Sequence, residues 1–354
     1  MIFSKTLERK ILFGIIACLS SFMLSGCSDS FIFDDEGDCN IHYKLVFKYD
    51  MNLKWADAFA NEVKSVRVYV FDERNDLVKI YQEEGERLAE PGFAIDLDLP
   101  EGDYNLVAWC GIDNPGVRNQ SFYAPENVGM KMEDLYCSLR TLSNSIYKNY
   151  SDEHLQFMFY GSVGVNIQES DDIGGERYVT MPLIKDTNHI RVTLVQLSGE
   201  DTNVNDFTYS IEAANGLLDY ENKLSGTEKI TYLPWSLDNA ETIIQNSQGK
   251  DIKCLSALAD LDISRMTIGE TESLKLIIRN NSTNEIVASV PVIDYALLTK
   301  DYYETAYGHK MTDQEFLDRE DEYNLTFFLD SNLQWISSFI YINSWRVVLH
   351  NYGI

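Results

Sequence analysis

Basic residues are scarce in this chain of 354 residues. Lysine and arginine together number 29, against 56 aspartates and glutamates, and the formal net charge is −27. Binding to nucleic acid or to anionic lipid depends on lysine and arginine that neutralise phosphates, so we expect no nucleic-acid partner. Solubility and mutual repulsion on a crowded surface best explain the charge, and an acidic docking face is the alternative.

The residue patterns of common catalytic and metal sites are also missing. The five histidines form no H-x-H or H-E-x-x-H pattern, and no C-x-x-C or G-x-x-x-x-G-K sequence occurs. Gly161-Ser162-Val163-Gly164 lacks the G-x-S-x-G spacing of a nucleophile elbow, and small residues that allow close backbone approach are the better interpretation. Pairs such as Asp96/Asp98 and Asp260/Asp262 are unavoidable among so many acidic residues. We expect neither catalysis, nor a metal, nor a cofactor.

The first 26 residues have the three parts of a bacterial lipoprotein signal. Three basic residues lie within the first ten, and a hydrophobic run over residues 11–24 is too short and interrupted to span a membrane. Leu24-Ser25-Gly26-Cys27 then places small residues before a cysteine. We predict cleavage after Gly26 and acylation of Cys27, since several acyl chains give durable attachment to a membrane. An ordinary secretory signal with a chance cysteine is the alternative.

Residues 27–39 are short, acidic and contain glycine, which predicts a solvated tether between the lipid and the folded chain. Acidic residues soon after the lipidated cysteine resemble the surface-export signals of Bacteroidetes lipoproteins. A simple spacer is the alternative.

Four cysteines besides Cys27 remain in the mature chain: Cys39, Cys110, Cys137 and Cys254. A location outside the cytoplasm permits disulfides, and four cysteines allow three complete pairings. Cys110 and Cys137 are the nearest pair in sequence and a candidate disulfide across an irregular segment. Buried free thiols are the alternative.

Alternation of apolar and polar residues dominates after residue 40 and predicts strands with one buried face. Residues 111–156 lack strong periodicity and predict a long excursion, with one short helix near 133–139. Helices are also predicted at 55–63 and after Thr312, where Glu315 occupies the capping-box position. The predicted strands are 41–49, 66–71, 93–99, 104–109, 155–165, 177–184, 190–197, 207–213, 227–233, 252–259, 273–279, 285–290, 323–329 and 337–350.

The Asp186-Thr187-Asn188 turn predicts a domain junction. Strands at regular spacing with few helices are typical of β-sandwiches. We therefore predict an all-β chain with short helical insertions, in four parts. They are a signal peptide (1–26), a tether (27–39), an N-terminal β-sandwich domain (40–187) and a C-terminal β-sandwich domain (188–354).

The five tryptophans could build a platform for a sugar, although most tryptophans in sandwiches pack into cores. Trp109 and Trp345 lie within alternating strands and are predicted to be in cores. Trp235 follows Pro234 in a loop and is expected to be exposed. Glycan binding for uptake is therefore the alternative function, and a tethered hydrolase is a weaker third hypothesis.

Four segments, taken in order and together with the lipoprotein signal, carry a family resemblance. They resemble the anchor-subunit lipoproteins of Bacteroidales fimbriae, relatives of the minor- and major-fimbrium anchor proteins. The segments are Cys39–Asp72, Leu99–Gly111, Thr187–Val192 and Leu317–Val348.

This resemblance implies two tandem transthyretin-like Greek-key β-sandwich domains. It also implies that the protein holds a fimbrial polymer to the outer membrane and limits its length. Shaft subunits of such fimbriae polymerise by donor-strand exchange, a form of β-augmentation. The expected partners are a fimbrial shaft subunit and, through acyl chains on Cys27, the cell outer membrane. Only Cys27 carries over as a functional position, and the strand edge that meets the shaft subunit stays open.

Overall fold

Strands make up most of the regular structure, as the alternating sequence pattern predicts. The computed structural model describes residues 40–114, 116–127, 129–168, 175–245, 249–270 and 273–349. The predicted signal peptide, Cys27, the tether and Cys39 lie outside these residues. Among the described residues, 43–167 and 178–349 belong to one compact unit, and residues 40–42, 168 and 175–177 belong to the other.

The described residues form 22 strands, which confirms the all-β prediction. The strands are β1 (Ile41–Lys48), β2 (Ser65–Phe71), β3 (Leu77–Glu84), β4 (Ile95–Asp96), β5 (Gly102–Cys110), β6 (Phe122–Tyr123), β7 (Tyr136–Leu139), β8 (Tyr150–Ser151), β9 (Phe159–Ile167), β10 (Gly175–Pro182), β11 (Ile184–Lys185), β12 (Thr187–Gln196), β13 (Phe207–Ala213), β14 (Leu217–Asp219), β15 (Ile230–Tyr232), β16 (Ser236–Gln245), β17 (Asp251–Ser264), β18 (Lys275–Asn280), β19 (Ile286–Pro291), β20 (Glu322–Leu329), β21 (Phe339–Ile342) and β22 (Trp345–Val348).

These strands form five open sheets. Two of the strand pairs are parallel, β12 with β20 and β15 with β8. The sheet orders are β10-β1-β4, β11-β9-β5-β2-β3, β16-β17-β12-β20-β21-β22, β19-β18-β13-β15-β8 and β14-β7-β6.

Strand β2 is buried on both faces, whereas the alternating pattern predicted only one buried face. Val66, Val68 and Val70 pack into one hydrophobic cluster with Leu45 of β1. Residues of the opposite face, such as Tyr69, belong to a second cluster. That face is covered because the excursion after residue 111 folds over it and supplies its own apolar side chains. The excursion residues in the second cluster are Ile112, Phe122, Leu135, Cys137, Leu139 and Leu155.

The excursion also crosses the predicted domain boundary at 187/188. Strand β7 pairs with β14, and β8 pairs with β15. The second hydrophobic cluster contains side chains from both sides of the boundary, from Tyr69 to Val347. The division into two tandem domains remains a prediction, but strands of the first predicted domain complete sheets of the second.

Four α-helices occur in the described chain: α1 (Phe59–Glu62), α2 (Val292–Leu297), α3 (Lys300–Tyr307) and α4 (Asp313–Arg319). The Oγ1 of Thr312 accepts a hydrogen bond from the N–H of Glu315 at 3.0 Å, so the predicted N-cap of α4 is confirmed. The helix predicted near 133–139 is wrong, because a 3-10 turn at Met132–Asp134 leads directly into β7. Within the described residues no helix has the length and apolar character needed to cross a membrane.

Gly161 and Gly164 on β9 differ in how closely other backbone approaches them. A Cβ on Gly161 would lie 2.6 Å from the carbonyl oxygen of Pro182, whereas a Cβ on Gly164 would meet nothing nearer than 3.8 Å. The interpretation of close backbone approach is therefore confirmed at Gly161 and wrong at Gly164.

We expect Gly161→Ala to destabilise the fold by about 1–3 kcal/mol, because the new methyl group forces β9 away from Pro182. Gly164→Ala is the matched control on the same strand and should change stability by less than about 1 kcal/mol. Urea unfolding of the two variants measures the difference. Equal stabilities would contradict the role of Gly161.

Candidate functional site

The edge strand β16 is the longest sheet edge in the described residues, with ten residues. It pairs with β17 along its whole length, from Ser236 opposite Asp260 to Gln245 opposite Asp251. No other described strand pairs with its outer side. An edge of this length presents a row of backbone donors and acceptors to a partner strand.

Hydrogen bonds of β17 show which backbone groups of β16 point outward. Leu255 is the register partner of Glu241. Its N–H donates to Oδ1 of Asp201 at 2.7 Å, and its carbonyl accepts from the N–H of Thr202 at 2.9 Å. Leu255 thus directs both groups away from β16, and its partner in an antiparallel pair does the same. Glu241 and, by alternation, Ile243 therefore direct their N–H and C=O to the open side.

The side chains of β16 combine exposed apolar groups with charge. Leu237 is 48% exposed and Ile243 is 59% exposed. Glu241 pairs with Lys253 of β17 at 2.6 Å. The N–H of Asn239 donates to the carboxylate of Asp238 at 2.7 Å, so this outward donor is already occupied. The half of the strand from Glu241 to Gln245 is the more open part.

Two of the other long edges, β3 and β19, are better protected. The N–H of Leu77 on β3 donates to the carbonyl of Met130, and Gly129 donates back to Leu77. Strand β3 also carries Lys79 and two glutamates, which are typical of protected edges. Strand β19 ends in Pro291, which has no N–H to offer.

A polar cluster surrounds the buried carboxylate of Asp262, which is 5% exposed. It accepts hydrogen bonds from Nδ1 of His154 at 2.6 Å and from Nδ1 of His189 at 2.8 Å. It also accepts from the N–H of Leu155 at 2.8 Å and from Nε1 of Trp235 at 3.1 Å. Asp262 therefore joins the excursion to β12 and to the loop before β16.

Asp260 lies two residues away on the same face of β17. Arg191 holds it with two hydrogen bonds of 2.7 and 3.1 Å, and Nε2 of His189 lies 3.4 Å away. Hydrogen bonds to Asp260 and then Asp262 raise the pKa of His189 to about 9. Burial by itself would raise the pKa of Asp260, but the bonds from His189 and Arg191 outweigh it and lower that pKa to about 2.

Sequence reasoning dismissed Asp260 and Asp262 as chance neighbours, and they turn out to organise this cluster. A signal was available, because His189 and Arg191 alternate on β12 as the two aspartates do on β17. An antiparallel register then places Arg191 opposite Asp260 and His189 opposite Asp262. The side chains satisfy one another, so the cluster is a structural clamp.

Trp235, expected to be exposed, is instead half-buried in this cluster. Its ring lies 4.4 Å from the ring of His154, between centroids. The tryptophan is held there because its N–H bonds Asp262, so it offers no open platform for a sugar. Trp109 is fully buried as predicted, but Trp345 is only half-buried and stacks on Tyr302.

Cys110 and Cys137 are free thiols and both are buried. They belong to different hydrophobic clusters. Sγ of Cys137 lies 3.2 Å from Sδ of Met158. The structure thus has the free thiols that were the alternative to the Cys110–Cys137 disulfide.

Asp186, placed by the sequence in a junction turn, is a fully buried carboxylate. Arg265 donates to it at 2.6 Å and binds Asp318 at 2.7 Å, and Asn222 donates to Asp186 at 3.0 Å. Burial raises the pKa of Asp186 to about 6. The link between β11 and β12 is therefore fixed by an ion pair.

We expect His189→Gln to cost about 1.5–3 kcal/mol of stability near pH 6, where the wild-type imidazolium bonds both aspartates. The folded pKa is raised above the usual 6.5, so this stabilisation is complete below pH 6.5 and is lost as the pH rises through 9. The free energies of unfolding of wild type and variant should therefore converge towards pH 10. Urea titrations at pH 6, 8 and 10 measure this. A difference that stays constant over that range would contradict the assignment.

Comparison with known proteins finds one matching family and several solved structures of similar fold. A family model described as fimbrillin-A associated anchor proteins Mfa1 and Mfa2 matches residues 35–351. A candidate adhesin from Bacteroides thetaiotaomicron is 30% identical, covers 89% of this chain and 100% of its own, and has a TM-score of 0.76. A candidate polysaccharide-binding protein from the same organism is 26% identical over 88% of this chain and 99% of its own, with a TM-score of 0.69.

The fimbrial anchor protein Mfa2 from Porphyromonas gingivalis shares the fold with a TM-score of 0.59, at 14% identity over 88% of this chain and 100% of its own. No curated protein matches the chain. The family model spans the whole described region. This chain belongs to the family of fimbrillin-A associated anchor proteins.

Proposed function

We propose that this protein is the lipid-anchored base of a fimbrium. Acyl chains on Cys27 attach it to the outer membrane, and the open edge of β16 pairs with a strand of the first shaft subunit. The single observation that carries the proposal is the ten-residue edge at Ser236–Gln245, which has no partner among the described strands. Membership of the anchor family supports it.

The lipid step, which is the proposed attachment to the membrane by acyl chains on Cys27, is supported by the small residues before Cys27 and the acidic segment after it. Several acyl chains hold a protein on a membrane, whereas one chain binds only marginally. Residues 27–39 could reach at most about 45 Å if fully extended. This distance lets the folded chain stand clear of the lipid head groups while the attachment holds.

The edge step uses main-chain hydrogen bonds, which form with any extended strand of matching direction. Glu241 and Ile243 supply outward N–H and C=O groups, and the exposed side chains of Leu237 and Ile243 supply apolar contacts. A base subunit held by lipid adds no further subunits on the membrane side. This arrangement accounts for a limit on fimbrial length.

We expect Cys27→Ala to release fimbriae into the medium, because the acyl chains are lost while the sheet edge is intact. Cys39→Ala is the matched control, since Cys39 follows no lipoprotein signal, and it should leave fimbriae on the cells. Fimbrial protein in cell and medium fractions measures the outcome. Normal attachment in the Cys27 variant would count against the lipid step.

We expect Ile243→Pro to weaken capture of the shaft subunit roughly tenfold, because it removes one outward N–H and places a ring at the edge. The bonds between β16 and β17 should persist, since Ile243 directs its N–H away from β17. Ile243→Val keeps the N–H and a branched apolar side chain and is the matched control. Co-purification of the shaft subunit from the host measures capture.

Thermal unfolding of both variants checks that the fold is preserved. Wild-type capture by a folded Ile243→Pro variant would show that another edge meets the shaft subunit.

A further inference from the structure

A second feature, independent of the edge, is an open groove of about 630 Å³ beside the excursion. Its volume falls in the range of about 300–1,000 Å³ that is typical of small-ligand sites. Leu139 and Ile230 form an apolar floor and are each 5% exposed. The polar side chains around it come from the excursion and from the loop between β14 and β15. They include Arg140, Thr141, Asn149, Glu153 and Glu228.

The excursion is tied down where it borders the groove. The N–H of Leu139 donates to the carbonyl of Gly216, and the N–H of Arg140 donates to the carbonyl of Ser121, both at 2.8 Å. The N–H of Leu142 donates to the carbonyl of Tyr150, also at 2.8 Å. A long segment with little regular structure is uncommon in a compact protein and usually serves a function. This one builds a wall of a groove.

One wall carries an exposed aromatic ring. Tyr123 is 43% exposed, and Cζ of Arg140 lies 5.5 Å from the centre of its ring. On the other side, Oε2 of Glu228 lies 3.5 Å from Nδ2 of Asn149. The groove thus offers planar amide, carboxylate and guanidinium groups around an apolar floor, with an aromatic ring at the rim.

We infer that this groove binds a neutral oligosaccharide. A sugar ring presents an apolar face of C–H groups and an edge of hydroxyl groups. The apolar face suits the ring of Tyr123, and the hydroxyls suit planar side chains such as Asn149 and Glu153, which can bond two hydroxyls at once. The lining carries one arginine and two glutamates, and Lys148 pairs with Glu228 at 3.3 Å, so the groove has no excess of positive charge to attract a sulfated or uronic-acid glycan.

An extended peptide fits the groove less well than a sugar. Peptide binding by strand addition needs unpaired backbone groups on the receiving strand. The backbone groups beside the floor are already used, since Leu139 and Gly216 bond each other and Leu218 of β14 pairs with Cys137 of β7. What the groove leaves accessible is side-chain chemistry, which is how sugars are recognised.

The test uses the full-length chain purified in detergent. It is applied to an array of neutral oligosaccharides and of sulfated or uronic-acid oligosaccharides, and the tightest neutral binder is then titrated by calorimetry. Tyr123→Ala should weaken that binding about tenfold. Tyr136→Ala is the matched control, because Tyr136 is a 38% exposed tyrosine on the neighbouring strand that does not line the groove.

Binding of a neutral oligosaccharide that Tyr123→Ala weakens and Tyr136→Ala leaves unchanged would establish the site. The inference is overturned if no neutral oligosaccharide binds, if only acidic ones bind, or if both variants lose binding equally. It is also overturned if Tyr123→Ala leaves sugar binding intact. Fimbrial attachment is measured in the same cells, so failure here is separable from failure of the anchor proposal.

Discussion

A sheet that does not close into a barrel must end in two edges whose backbone groups lack partners. This chain forms five open sheets and therefore has to manage many edges. Most are short, such as β4, β8 and β11, with two residues each. Met130 and Gly129 cover the start of β3, and Pro291 closes β19. The ten-residue edge of β16 is the longest of the described edges, and we therefore place the proposed partner strand there.

Burial of β2 on both faces explains how the excursion can be ordered with little regular structure. Excursion side chains including Phe122, Leu135 and Leu139 share a hydrophobic cluster with Trp109 and Tyr69. Burying large apolar side chains stabilises a segment by about 1.5–3 kcal/mol for each one, which offsets the entropy lost by fixing its backbone. The excursion, which forms a wall of the groove, is thus held by the same hydrophobic cluster that covers one face of β2.

The sequence predicts many of the strands, because the side-chain period of two is a local property, but it predicts no strand at β3 or at the edge strand β16. Phe207–Ala213 was placed at the bounds that β13 has in the structure. Of the helices after residue 290, only α4 was predicted, and it is the one whose Thr312 side chain caps the first turn. Helices α2 and α3 have no such cap, because Pro291 precedes α2 and the hydroxyl of Thr299 before α3 donates to the carbonyl of Ala296 instead.

The sequence does not predict most contacts between distant residues, because its patterns are local. The cluster around Asp262 also includes His154 and Trp235, and no pattern in their separate segments fixes how near they lie to that carboxylate. Trp235 sits in a loop as predicted, yet one hydrogen bond to Asp262 turns its ring inward. Both faces of β2 are buried for a similar reason, since what covers the second face comes from an excursion with no periodicity.

An edge that binds through its main chain must still choose among strands. Main-chain hydrogen bonds form with any extended segment, so selectivity comes from the side chains at alternate positions. Asp238 and Glu241 on β16 repel an acidic strand, and the net charge of −27 repels a second copy of this chain. Leu237 and Ile243 favour a strand with apolar residues at matching positions. Charge thus discourages self-pairing at an edge that length and exposure would otherwise make prone to it, and leaves the edge open to a neutral or basic shaft strand.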